Sequence, residues 1–205
     1  MARKTKEEAE KTRQALLASA FKVFSTKGYA KTTLQDIATD SNVTRGAVYW
    51  HFKNKTDLFE KLLDHAFLPV QQVIFSKIKD DDSPQELLVS LMKIWLHHVT
   101  SDDNFRTAFE IIFNKTEWSE ELMPFKLKYK DEELKFIKMV ESIFSKGIEQ
   151  GVFRKDLTPS VASAFYYSTL FGLAQYSLFF EQELDINKEI DSLIDMFLHS
   201  CLCKN

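Results

Sequence analysis

Glycine and proline are scarce in this 205-residue chain, at five and four residues. Sandwiches and barrels need many tight turns, so that scarcity argues against them and favours long helices. Cysteine is scarcer still. Cys201 and Cys203 stand too close together for an ordinary structural staple and read as reduced cytosolic thiols. No apolar run approaches the length that spans a membrane. The opening Met-Ala-Arg-Lys-Thr-Lys-Glu-Glu has nothing of a secretory leader, so the expected location is the cytoplasm, with no membrane partner. Constellations for chemistry are missing as well. His97 and His98 are adjacent and point to different sides of a helix, His65 and His199 stand alone, and Cys201-x-Cys203 lacks the partners of a zinc site. No glycine-rich loop is present to cradle phosphate. We therefore expect no catalytic residue, no metal site and no cofactor.

What is present is helical periodicity and an uneven charge. The net charge of −3 divides into +4 over residues 1–60 and −7 over residues 61–205, so an anionic polymer would meet the N-terminal end. Leu16, Leu17, Ala20, Phe21 and Phe24 recur at the spacing of one buried face, predicting a helix from about Glu7 to Lys27 that Gly28 stops. Thr33 with Asp36 has the spacing of a capping box for a short helix, 34–40. Ser41-Asn42-Val43 reads as a tight turn, and Thr44 caps a second short helix, 45–52. Asn54 with Asp57 opens a fourth, in which Pro69 should produce a kink or an end. Asp80-Asp81-Asp82 reads as a loop, and Ser83-Pro84-x-Glu86 as a helix start. Further helices are expected at about 84–100, 104–116, 125–150 (stopped by Gly151), 159–180 and 187–202. The expected fold is all-α, nine helices in two domains, 1–60 and 61–205.

The two short helices around a three- to four-residue turn have the layout of a helix-turn-helix. Leu34, Ile37, Ala38, Val43, Val48 and Phe52 supply apolar surface to hold them on the first helix. The second is dense in groups that suit DNA. An arginine such as Arg45 can chelate guanine O6 and N7, a contact worth roughly 1–3 kcal/mol of discrimination. Thr44, Tyr49 and His51 can donate to phosphates, Gly46 lets backbone approach closely, and the helix starts at Thr33 and Thr44 turn N–H groups outward. Spacing alone leaves a structural Tyr-Trp-His cluster in a helical bundle as an open alternative.

The segment Thr33…Ile37-Ala38, Val43-Thr44-Arg45-Gly46-Ala47, Tyr49-Trp50-His51-Phe52 and Lys53-Asn54-Lys55, with Asp57-Leu58 after it, resembles the signature of the TetR family of repressors. The family usually has Gly where this chain has Asn42, a residue that tolerates positive φ better than most. The resemblance is specific over residues 8–60. It extends more loosely to AcrR-type repressors of multidrug efflux operons, through the opening Ala-Arg-Lys-Thr-Lys-x-Glu-Ala and Glu110-Ile111-Ile112-Phe113-x-Lys115-x-Glu117.

It implies a homodimeric repressor of double-stranded operator DNA whose Thr33, Gln35, Thr44, Arg45, Gly46, Tyr49, Trp50, His51 and Lys55 line the DNA. Arg45 and Gln35 would reach base edges; Thr33, Tyr49, His51 and Lys55 would hold phosphates. Trp50 would pack its ring while its N–H reaches the backbone. The Arg3-Lys4-Thr5-Lys6 arm would add sequence-independent attraction.

Fourteen of the eighteen phenylalanines lie beyond residue 60, and phenylalanine at helical spacing suits either a solid core or an apolar pocket. With the resemblance, a lipophilic inducer is expected against Leu63, Phe67, Trp95, Arg106, Phe109, Phe113 and Phe171. Phe67 stands near where a few members of the subgroup carry an acid, which weakens the case for cationic drugs. Residues 161–180, with Val161, Ala164, Phe165, Ser168, Phe171, Gly172 and Leu173, and the stripe Ile190, Leu193, Ile194, Phe197 and Leu198 resemble the family's dimer interface, and would equally suit an intramolecular core. Two readings stand beside the efflux repressor: a TetR-type regulator of lipid or general metabolism, and a helical adaptor that does not touch DNA.

Overall fold

The computed structural model describes residues 6–77, 83–180 and 183–203. The expected basic arm at Arg3-Lys4-Thr5 and the Asp80-Asp81-Asp82 loop lie outside the described residues. Among those described there are nine α-helices and no strand beyond one isolated antiparallel bridge, Phe153 to Leu202. The helices are α1 (Lys6–Lys31), α2 (Leu34–Asp40), α3 (Arg45–His51), α4 (Lys55–Lys77), α5 (Pro84–Ser101), α6 (Asp103–Asn114), α7 (Met123–Glu149), α8 (Pro159–Phe179) and α9 (Ile186–Cys201). A 3-10 turn over Glu120–Leu122, which no periodicity announced, precedes α7. No helix is long and apolar enough to cross a membrane among the described residues; Ser, Thr, Tyr and Gln interrupt the long uncharged stretch of α8.

The chain folds as two compact units. One comprises the residues through Leu68 together with Asn104–Lys126; the other comprises Pro69–Asp103 and the residues from Leu127 on. In the first, Leu16, Leu17, Ala20, Phe21 and Phe24 of α1 are all buried, with Leu34, Ile37 and Ala38 of α2 and Val48 of α3. Phe24 stacks on Tyr29 at 5.9 Å between ring centroids, and Phe59 stands edge-on to Phe24 at 5.4 Å and to Tyr29 at 4.9 Å. Each such aromatic pair adds roughly 0.5–1.5 kcal/mol beyond burial.

Gly28 interrupts α1 with φ 75 and ψ 167. The chain then makes one further turn to Lys31, sealed where the Thr32 hydroxyl donates to the Gly28 carbonyl at 2.7 Å. Asn42 takes φ 53 in the turn between α2 and α3. Pro69 does not end α4, which runs on to Lys77. Ala66, Val70 and Ile74 continue the buried stripe on both sides of the proline, and that packing outweighs the one backbone hydrogen bond proline cannot make.

In the second unit α5 packs on α8 and α9, and α8 on α9. Leu88, Leu91, Met92 and Leu96 of α5, Tyr166 and Leu170 of α8 and Phe197 of α9 are all buried in this unit. The Tyr166 ring stands edge-on to Phe197 at 5.3 Å, and its fully buried hydroxyl donates to the Leu88 carbonyl at 2.8 Å. The Val152 amide closes back on the Gly147 carbonyl at 2.8 Å. That return puts the Phe153 ring 2.2 Å from where a Cβ on residue 147 would lie, so only glycine fits there. Cys201 is buried, Cys203 is exposed, and both are free thiols.

Candidate nucleic-acid interface

The helix-turn-helix is fixed by its caps. The Thr33 hydroxyl accepts from the Asp36 amide at 3.1 Å while the Asp36 carboxylate accepts from the Thr33 amide at 2.9 Å, a reciprocal capping box. Thr44 caps α3, accepting from the Ala47 amide at 3.2 Å. At the start of α4 the Asp57 amide donates to Asn54 Oδ1 at 2.8 Å and the Lys53 amide to Asp57 Oδ2 at 2.9 Å. Side-chain caps of this kind stabilise a helix by roughly 0.5–2 kcal/mol each. Here they hold two seven-residue helices too short to persist alone.

With only Val48 of α3 in the core, one face of this helix is left to solvent. Arg45, Gly46, Tyr49 and Trp50 are exposed, as are Thr33, Gln35 and Thr44, while His51 and Lys55 are half-buried. Arg45 and Tyr49, one turn apart, pair off: the Arg45 Nη2 donates to the Tyr49 hydroxyl at 3.1 Å, with the guanidinium 5.4 Å from the ring centroid. Gln35 reaches Thr39 Oγ1 at 3.4 Å. A groove lined by Lys6, Ala9, Thr44, Gly46, Ala47, Trp50 and His51 lies between the start of α1 and α3; Lys6 belongs to the expected basic arm, whereas Ala9 and Ala47 carried no sequence signal for such a role.

Three expected residues sit otherwise than their assigned roles suggested. Trp50 does not pack its ring into the core: it is 71% exposed, and its close ring contact is His51, edge-on at 4.5 Å. The Thr33 hydroxyl already donates to Asp36 at 2.8 Å. Lys55 folds back within its own unit, where its ammonium donates to the Tyr29 carbonyl at 3.0 Å and lies 4.2 Å from the Tyr29 ring centroid.

The two acids of α2 are neutralised locally. Asp40 pairs with Lys22, and Asp36 with Lys27 at 2.8 Å. Hydrogen bonds from Lys27 and Thr33 hold the Asp36 carboxyl down to about 2. Both lysines come from α1, so the negative charge of α2 is answered beside it and repels an approaching phosphate less.

The expected ligand wall is divided between the units. Leu63, Phe67, Arg106, Phe109 and Phe113 belong to the first; Trp95 and Phe171 belong to the second. Within the first, Phe109 and Phe113 pair at 4.4 Å, and Phe67 meets Phe105 edge-on at 5.1 Å. Within the second, Trp95 and Phe171 pair at 5.7 Å. Leu63, Trp95 and Phe109 are buried, and Phe113 is 37% exposed. Among the described residues no group of three or more potential ligands gathers for a metal ion.

A capped pair of short helices presenting arginine, tyrosine and tryptophan outward, on a wholly helical body, defines a DNA-binding regulator. Residues 16–62 match the family described as "Bacterial regulatory proteins, tetR family", and residues 83–202 match "MAATS-type transcriptional repressor, C-terminal region". The chain is 32% identical over 203 residues to the HTH-type transcriptional regulator AcrR of Shigella flexneri, covering 97% of this chain and 94% of that one. It is 28% identical to the HTH-type transcriptional regulator TtgR of Pseudomonas putida, over 95% and 93% of the two chains. Its fold matches the crystal structure of NalD, the secondary repressor of the MexAB-OprM multidrug efflux pump in Pseudomonas aeruginosa. That match has a TM-score of 0.83 and 30% identity, and covers 98% of this chain and 100% of that one. The chain belongs to the TetR family: it is a transcriptional regulator and not an enzyme.

Proposed function

We propose that this protein is a cytoplasmic, ligand-responsive repressor of a multidrug efflux operon, binding a palindromic operator as a homodimer and released by a lipophilic compound. The observation that carries the reading is the outward face of α3, joined to a full-length likeness to AcrR and NalD. Residues 1–60 form the DNA-binding domain and residues 61–205 the ligand-binding and dimerisation domain.

Arg45 and Gln35 read base edges, with the Arg45–Tyr49 pair holding the guanidinium extended before DNA arrives, which lowers the ordering cost of the contact. Thr33, Thr44, Tyr49, Trp50, His51 and Lys55 position the phosphate backbone, and Gly46 admits it closely. For Lys55, exchanging the Tyr29 carbonyl for a phosphate is the required step.

Exposed Val161, Phe165 and Met196, beside exposed Ala164, Ser168 and Gly172, give α8 and α9 an apolar surface with small residues that suits a second copy. Two heads must stand roughly 34–36 Å apart to meet successive major grooves, which an isologous dimer provides. Leu63, Phe67, Trp95, Arg106, Phe109, Phe113 and Phe171 are the proposed ligand contacts. A ligand acts through its differential affinity for the two states, and a shift from about 1:99 to 99:1 needs roughly 5.5 kcal/mol.

Fluorescence anisotropy on labelled DNA flanking the protein's own gene, with and without a panel of lipophilic compounds, tests the reading. Tight, salt-sensitive binding that some compounds release is the expected result. Binding that no compound releases removes the ligand-responsive part, and equal affinity for operator and random DNA removes the repressor.

A further inference from the structure

The regulator described so far leaves both cysteines of the chain unused, and the fold gives them different surroundings at the end of α9. Cys201 is the last residue of that helix and is buried; Cys203, two residues on, is exposed, and both are free thiols. The Cys201 sulfur stands 3.3 Å from the Ser200 hydroxyl, and the Cys203 thiol donates to the Gly151 carbonyl at 3.4 Å. Backbone bonds tie this end of the chain to the turn between α7 and α8. The Arg154 amide donates to the Cys201 carbonyl at 3.0 Å, the Cys203 amide to the Val152 carbonyl at 3.4 Å, and Leu202 bridges to Phe153.

Leu202, between the two thiols, has φ −69 and ψ 152. A chain in that conformation advances about 3.1 Å per residue, which sets the flanking Cα atoms about 6 Å apart. Disulfides close over Cα separations of roughly 4.4–6.8 Å. Arg154 supplies a second observation. Its Nε is buried and finds no hydrogen-bond acceptor, Asp156 Oδ1 standing off at 3.5 Å. A buried donor left in that state is rare and costly. Burial raises the Cys201 thiol above its usual range, while the Ser200 hydrogen bond and the Arg154 charge draw it back down.

We propose that Cys201 and Cys203 form an oxidation site for hydroperoxides, in which exposed Cys203 reacts first and Cys201 resolves it to a disulfide within one chain. The proposal is independent of the DNA and ligand readings above. The Cys203 sulfur attacks the peroxide O–O bond, forming an S–O bond and releasing an alcohol, which leaves a sulfenic acid. The Cys201 sulfur then attacks that sulfur. An S–S bond forms, the S–O bond breaks, and the hydroxyl leaves as water with the Cys201 proton. Two thiols thus give up two electrons and the hydroperoxide takes them. Arg154 favours the Cys201 thiolate in the second step, since the thiolate is the nucleophile. Ring closure gives up the Cys203 bond to Gly151 and draws the Cys201 sulfur out of its buried place. A strained, exposed disulfide of this kind is readily reduced again.

The test uses the full, pre-reduced chain and tert-butyl hydroperoxide, with N-ethylmaleimide to cap remaining thiols and mass spectrometry to count them. The unaltered protein should lose both thiols together, with a mass fall of two hydrogens, and dithiothreitol should restore them. Cys201→Ala should stop at a Cys203 sulfenic acid that dimedone traps. In Cys203→Ser the remaining thiol should react at least tenfold more slowly than Cys203 does in Cys201→Ala. Arg154→Gln should leave Cys203 oxidation within about twofold and slow ring closure at least fivefold, and Arg154→Lys should recover part of that loss. Circular dichroism checks that each variant is folded, and Cys201→Ser replaces Cys201→Ala if the alanine disturbs packing.

No reaction of either thiol with excess hydroperoxide overturns the proposal. So does a sulfenic acid that persists in the unaltered protein, a disulfide that joins two copies, or a Cys201 that reacts as fast as Cys203. Ring closure that Arg154→Gln leaves unchanged overturns the role given to Arg154.

Discussion

Replacing Gly28 by alanine perturbs the joint between α1 and the rest of the helix-turn-helix unit in two ways that can be separated. The residue sits at φ 75, ψ 167, a region open essentially to glycine alone and costing roughly 1–3 kcal/mol for other residues. A Cβ placed there lies 3.0 Å from the Lys115 carbonyl oxygen. That oxygen also accepts from the Tyr29 amide at 3.0 Å. If it gives way by a few tenths of an ångström the bond weakens, at up to about 1 kcal/mol. Against this, alanine restricts the unfolded chain and recovers about 0.4–1 kcal/mol. The net expectation is a loss of about 2 kcal/mol.

With a urea slope of roughly 1–3 kcal/mol per molar, the unfolding midpoint should fall by about 1 M. It would be read by circular dichroism at one fixed protein concentration, because association shifts apparent stability. Gly151→Ala is the control. Its φ is 74 and nothing lies within 4 Å of the added carbon, so it reports strain without the collision. A Gly28→Ala midpoint no lower than that of Gly151→Ala would refute the role assigned to Lys115. A shift below about 0.3 M in both would refute the strain argument itself.

Other substitutions test the interface. Arg45→Ala should lose about 1–3 kcal/mol of discrimination between operator and random DNA and little of its affinity for random DNA, measured by competition anisotropy; equal losses on both would refute base reading by Arg45. Lys55→Ala should weaken all sequences alike and flatten the salt dependence. Because its ammonium also rests on Tyr29, the variant should unfold at lower urea as well, and unchanged stability would show that the Tyr29 contact is idle. Asp36, held down to about 2 from 3.8 by Lys27 and Thr33, contributes stability that is fully present above about pH 3.8 and lost as the pH falls through about 2. Acid titration of Asp36→Asn should therefore show a deficit at neutral pH that vanishes near pH 2, and a deficit constant with pH would remove the ionic part of the cap.

The elements that local chemistry dictates were legible in the residues. Thr33 with Asp36, Thr44, and Asn54 with Asp57 fix the starts of α2, α3 and α4 through contacts four residues or fewer apart, while Gly28, read as the stop of α1, interrupts it one turn before its end at Lys31. Those ends fall within a few residues of where the sequence places them. Pro69 shows the limit of such reasoning, because a local rule allows a kink or an end and the continuing stripe Ala66, Val70 and Ile74 decides for continuation. The surroundings of Trp50 and Lys55 were illegible for a related reason. A seven-residue helix has too few turns for periodicity to tell an outward tryptophan from an inward one. The partner of Lys55, Tyr29, is distant in sequence.

Within the first unit, three contacts connect the DNA-binding head to the segment that follows α6. The Tyr29 amide donates to the Lys115 carbonyl at 3.0 Å. The Thr56 hydroxyl donates to Glu121 Oε1 at 2.6 Å and stands 3.0 Å from the Tyr29 hydroxyl. Phe59 meets Phe125 edge-on at 5.7 Å. Tyr29 and Thr56 are thus bonded to each other and each to one residue beyond α6. Burial carries the Tyr29 hydroxyl to about 12, so it stays a neutral partner throughout the physiological range. Phe109 and Phe113, proposed ligand contacts, lie on α6 six and two residues before Lys115. Under the proposed ligand response, displacement of α6 would reach the joint at Gly28 and Tyr29. Packed elements of this kind shift between discrete arrangements and do not deform smoothly. Spatial connection alone does not establish coupling, but it fixes where coupling must fail. Thr56→Val removes the hydroxyl link and leaves both the α3 face and the ligand contacts unaltered. It should leave operator affinity within about threefold while reducing the ligand's power to release DNA. Full release by the variant would show that the Thr56 hydroxyl carries none of the coupling.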